Sequence, residues 1–124
     1  MKKAVVLFGH GARDPQWADP MRSLQAQLQQ QLGEGFVVEL AFLELMEPSL
    51  PDVVKSFSQG QVSNVSIIPV FFGKGGHLKR DFPVILSDLQ CAYPELNIVA
   101  TDAVGQWDSM WQAIANEAVN RVRG

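Results

Sequence analysis

The chain alternates between two hydrophobic periods, and that alternation limits its possible folds more than any other feature. Lys3 to Phe8 (KAVVLF) is a short apolar run, rich in β-branched residues and closed by Gly9, the pattern of a strand buried on both faces. Phe36 to Leu43 (FVVELAFL) and Asn64 to Phe72 (NVSIIPVFF) repeat it, and Leu96 to Ala100 (LNIVA) is a weaker fourth run. Between the runs the spacing lengthens to helical steps. Trp17, Met21, Leu24, Leu28 and Leu32 predict a helix with a glutamine-rich opposite face, its first turn disturbed by Pro15 and Pro20. Ser49 and Asp52 stand at capping-box spacing with Pro51 in the first turn, which predicts a second helix to about Ser58. A third is expected to follow His77, in the glycine-rich loop, and run to about Ala92, stopping before Pro94. A fourth, Trp107 to Arg121, is expected to bury Trp111, Ile114, Ala118 and Val122 along one stripe.

The order β-α-β-α-β-α-β-α implies an α/β fold in which right-handed crossovers place helices on both faces of an open parallel four-stranded sheet. With no linker, repeat or low-complexity segment, residues 1–124 read as a single domain. At 47% hydrophobic side chains the chain can bury a core of its own. Its net charge of −3 argues against an electrostatic nucleic-acid binder. The apolar run in MKKAVVLFGH is too short for a signal-peptide core or a membrane span, so no membrane partner and a cytoplasmic location are expected. Cys91 is the only cysteine, which excludes an intrachain disulfide and a cysteine-based zinc cluster; it reads as a small buried helix residue.

In open parallel sheets, ligands bind beyond the carboxyl ends of the strands. His10 leaves the first strand in GHGARDP, Glu44 and Glu47 leave the second in LELMEP, and His77 leaves the third in GKGGHLKRD. If the strand order is 2-1-3-4, as in a flavodoxin-like sheet, neighbouring strands lie about 4.8 Å apart and His10 is flanked by Glu44 and His77. Two imidazoles and a carboxylate make a plausible open site for Co²⁺, Ni²⁺, Fe²⁺ or Zn²⁺, and the ligand types alone do not choose among them. The plainer reading makes each histidine a surface or packing residue, and Glu47, which precedes Pro48, a lead into the helix. Gly9 and Gly11 bracket His10, and Gly73, Gly75 and Gly76 precede His77, so both loops can take positive φ and let a ligand approach the backbone. Neither loop has the spacing of a dinucleotide or P-loop motif. Arg13, Lys74, Lys79 and Arg80, four of the ten basic residues, lie in these two loops and point to an anionic ligand such as a polycarboxylate or phosphate.

GHGARDP, AFLELMEPSLP and IPVFFGKGGHLKRDFP together resemble the CbiX/SirB group of class II tetrapyrrole chelatases, specifically the short CbiXS form. The likeness covers residue 4 to about residue 86 and is more diffuse beyond. It implies a chelatase-like fold and insertion of Co²⁺ into sirohydrochlorin on the way to cobalamin (vitamin B12), with the metal a substrate and no tightly bound cofactor. Close relatives insert iron or nickel, and no residue separates the three. The resemblance carries the metal-site and catalytic roles to His10, Glu44 and His77, and implies a homodimer, since long forms look like two fused copies. Gly11, Arg13, Met46, Gly75, Gly76, Lys79 and Arg80 become substrate-facing candidates, with Leu45, Phe71 and Phe72 as further apolar wall and Phe71 the one expected to pack in the core. Many relatives have serine where Ala12 stands, so a hydroxyl is missing there.

Metallation removes two pyrrole N–H protons while the ion exchanges water for ring nitrogens. A useful site therefore holds the ion weakly, leaves positions open and offers a base, roles an imidazole can fill near neutral pH. Glu44 is either a ligand or the carboxylate that orients a histidine. Two other readings of the same residues stay open: a metallohydrolase with Glu47 as general base, and a non-catalytic metal or tetrapyrrole carrier. A histidine phosphatase expects arginine before its first histidine, where this chain has Gly9.

Overall fold

The structure, a computed structural model, describes residues 2–73 and 76–124; of residues 76–79 it describes only their place in a helix. Strands β1 (Lys2–Gly9), β2 (Phe36–Phe42), β3 (Val62–Pro69) and β4 (Asn97–Ala100) form the one parallel sheet that the alternating periods predict, in the flavodoxin-like order β2-β1-β3-β4. β1 is central because it is apolar on both faces. Ala4, Val6 and Phe8 point into a core closed by α2 (Leu50–Ser58) and α3 (Gly76–Ala92), while Val5 and Leu7 point into a second core under α1 (Asp19–Leu32). Register places Val6 between Glu39 of β2 and Ile67 of β3, so the three carboxyl ends finish at nearly the same level.

Local chemistry sets the helix starts. Asp14 accepts the Gln16 N–H and opens a 3-10 turn over Pro15–Ala18, the irregular entry that Pro15 and Pro20 predict; α1 follows directly. At α2 the Ser49 hydroxyl accepts the Asp52 N–H at 3.3 Å, one half of a capping box. α3 contains Pro83, which lacks the N–H for one intrahelical bond.

The glutamines of α1 have a role beyond solvation. Gln25 donates to the Val38 carbonyl at 2.8 Å, and Gln29 donates to the Phe36 carbonyl at 2.8 Å while accepting the Val38 N–H at 3.0 Å. These amides pair the outer edge of β2 as a neighbouring strand does. On the opposite edge Gln90 of α3 donates to the Ile98 carbonyl of β4 at 2.9 Å.

The structure corrects three expectations. α4 (Asp108–Arg123) does not bury Trp111, Ile114, Ala118 and Val122; every residue from Trp111 onward is exposed. The helix packs on the 3-10 turn Val104–Gln106 before it. Two indole N–H groups hold it there, Trp107 donating to the Asp102 carbonyl at 3.0 Å and Trp111 to the Gly105 carbonyl at 2.6 Å. Cys91 is exposed, because α3 turns Leu89 inward and Cys91 away. β3 ends at Pro69 rather than Phe72, and only the single bond from the Val70 N–H to the Phe8 carbonyl carries the pairing further.

Candidate functional site

Pairing between the first two strands continues past their ends. The Leu43 N–H donates to the Gly9 carbonyl at 2.9 Å and the Glu44 N–H to the His10 carbonyl at 3.1 Å, which brings His10 and Glu44 side by side. Gly11 makes this approach possible. It has φ of 95°, and a Cβ there would lie 1.8 Å from the Glu44 carbonyl oxygen. Of the described glycines in the two histidine loops, Gly9, Gly11 and Gly73, it alone takes positive φ.

His10 Nε2 stands 3.7 Å from Glu44 Oε1, with both side chains a little over half exposed. That is beyond direct hydrogen-bonding distance. It fits an ion shared between the two, since bonds of about 2.1 Å to each ligand span at most about 4.2 Å. The imidazole is steered from two sides: Nδ1 lies 3.4 Å from the Gly11 carbonyl, and the ring meets Phe71 edge-on at 6.4 Å between centroids. Phe71 in turn meets Phe8 edge-on at 5.6 Å, so a core aromatic stands behind the histidine. Core packing is the role the sequence suggests for Phe71; its contact with His10 is additional.

The third exit is braced by the turn before α4. The Gly105 N–H donates to the Phe71 carbonyl at 2.8 Å, and a Cβ on Gly105 would lie 2.2 Å from the Phe72 carbonyl oxygen. Sequence reasoning missed Gly105, which carries no chemical signature; only the close approach of two backbones reveals it. Two large apolar side chains stand free at this edge, Phe72 at 59% and Leu45 at 58% exposure, Leu45 with φ of 66°. Met46 is instead half-buried and packs on the core beneath α1.

Arg13 and Arg80 are exposed, as is Glu47. Gly76 is the first and His77 the second residue of α3, so His77 belongs to a helix start and not to a glycine-rich loop. The side chains of His77 and Lys79, and Lys74 and Gly75 altogether, lie outside the described residues. Among the described residues, no third His, Cys, Asp or Glu joins His10 and Glu44 in a metal-sized cluster.

The sequence profile of the CbiX family matches residues 4–121, including the last third, where the motif likeness is diffuse. The chain belongs to the CbiX family. Among CbiX relatives, it is 37% identical to the sirohydrochlorin cobaltochelatase of Methanopyrus kandleri over 67% of this chain and 57% of that protein, so it spans less than two thirds of that relative's length. The protein of the same name from Saccharolobus islandicus strain L.S.2.15 is 26% identical over 94% of this chain and 96% of its own. A CbiX protein of Marinobacter aquaeolei VT8 superposes with a TM-score of 0.83 over 98% of both chains at 23% identity, which establishes the shared fold.

Proposed function

We propose that this CbiX chain is a class II chelatase that inserts Co²⁺ into sirohydrochlorin on the way to cobalamin. The observation that carries the reading is the His10–Glu44 pair, an imidazole and a carboxylate held 3.7 Å apart at the carboxyl edge of the sheet and open to solvent. The names of the two curated relatives point to the same reaction.

His10 Nε2 and Glu44 Oε1 take the arriving ion and leave its remaining positions to water. Ring nitrogens replace those waters one at a time, and weak protein ligation lets the ion go once the macrocycle surrounds it. The balance is one divalent ion taken up for two pyrrole N–H protons released. His77, at the start of α3, is assigned as third ligand or proton acceptor on the family resemblance. Leu45 and Phe72 offer an apolar wall to one face of the macrocycle. The family resemblance assigns Gly11, Gly75 and Gly76 to its approach, and Arg13, Lys79 and Arg80 to its peripheral carboxylates. Two copies form the working unit, in a cytoplasmic setting; no described helix is long and apolar enough to cross a membrane.

The test follows the absorbance of sirohydrochlorin after anaerobic addition of Co²⁺, Ni²⁺ or Fe²⁺, with and without protein. Acceleration over the uncatalysed rate, greatest with Co²⁺, is expected. No acceleration with any ion, or hydrolytic turnover with Zn²⁺ in its place, contradicts the reading.

A further inference from the structure

Gly105 is a glycine that its own turn does not require. Its φ is not positive, so the 3-10 turn Val104–Gln106 could carry another residue there. The requirement comes from the β3 exit: a Cβ on Gly105 would lie 2.6 Å from Phe72 Cα, too close to be accommodated without a backbone shift. Both backbone groups of Gly105 are also committed. Its N–H donates to the Phe71 carbonyl at 2.8 Å, and its carbonyl accepts the Trp111 indole N–H at 2.6 Å. The residue clamps the β3 exit to the first turn of α4.

That clamp stands where the sheet stops holding the chain. The pairing of the β3 exit with β1 ends at the Val70 N–H, which donates to the Phe8 carbonyl at 2.8 Å, one residue before Phe71. Phe71 carries its position onward through its ring, edge-on to Phe8 at 5.6 Å and edge-on to His10 at 6.4 Å. A shift of Phe71 therefore reaches the imidazole directly.

We infer that Gly105 is a positioning residue for the metal site, holding the His10 imidazole beside Glu44 through Phe71. The inference rests on the chelatase reading of His10 and extends that site to the turn after β4.

Isotope labelling of histidine alone gives the ring signals of His10 and His77 in NMR spectra of the full chain without metal, the His10 signal being the one lost in His10→Ala. Gly105→Ala and Phe71→Leu are each expected to move the His10 signal, and the double variant to move it no further than Phe71→Leu does, because both act on one contact. Trp111→Phe removes the indole N–H at an exposed position and is expected to move the signal less and in the same direction, which keeps the test open if Gly105→Ala does not fold. A His10 signal that neither Gly105→Ala nor Trp111→Phe moves overturns the inference, as does a displacement that Gly105→Ala adds in full to that of Phe71→Leu. In the insertion assay Gly105→Ala is expected to lower kcat several-fold at an unchanged KM for sirohydrochlorin. A raised KM at unchanged kcat places the effect on Phe72 and overturns the inference. A wild type that accelerates no insertion contradicts the chelatase reading, and the ring signal then decides the positioning by itself.

Discussion

The Glu44 N–H donates to the His10 carbonyl at 3.1 Å, and the side chains of the same two residues stand 3.7 Å apart. The candidate metal pair is thus an extension of the β1–β2 ladder, and its geometry inherits the rigidity of the sheet. Groups held by strands arrive at their spacing before the ligand does, which is what a brief metal transfer requires.

Gly11→Ala tests that coupling. A Cβ would sit 1.8 Å from the Glu44 carbonyl at a φ of 95°, so the loop must part from Glu44. Strain of this kind costs about 1–3 kcal/mol. We expect a lower melting temperature together with loss of metal insertion; an alanine variant that keeps both shows that the two exits need not touch.

His10→Ala separates function from stability. The side chain is just over half exposed and belongs to no core. Its loss should change stability by no more than about 0.5 kcal/mol in chemical denaturation while metal insertion disappears.

Phe71→Leu probes support of the imidazole. Leucine keeps most of the bulk against Phe8 but cannot offer a ring to His10. An edge-on contact is worth about 0.5–1.5 kcal/mol, so a several-fold drop in kcat is predicted beside a melting temperature lowered by a few degrees. Full activity in this variant places the histidine under other control.

Gln29→Ala strips the outer edge of β2 of two hydrogen bonds, to the Phe36 carbonyl and from the Val38 N–H. Leaving partly buried backbone groups unmet costs about 1–3 kcal/mol. Urea unfolding should show this loss, and Gln27→Ala, on the exposed side of α1, should show almost none.

These residues also mark how far the sequence could be read. The parallel sheet and the Ser49 cap follow from period and spacing, and the meeting of His10 with Glu44 follows once the flavodoxin-like strand order is supposed, because local signals and that topology agree. What escaped notice were contacts without a composition signal. Gln29 looks like a solvated residue until its amide is seen against the free edge of β2. Gly105 looks like a turn former until Phe72 is seen against it. The stripe on α4 was legible as apolar, but period alone does not say which surface it covers, and the indoles of Trp107 and Trp111 tie the helix to the segment before it.

The most direct test of the central claim is the anaerobic rate of Co²⁺ insertion into sirohydrochlorin by wild type and by His10→Ala, read by absorbance beside matched melting curves. The account predicts acceleration by the wild type, a return to the uncatalysed rate in the variant and superimposable melting. A His10→Ala protein that inserts cobalt at the wild-type rate contradicts it.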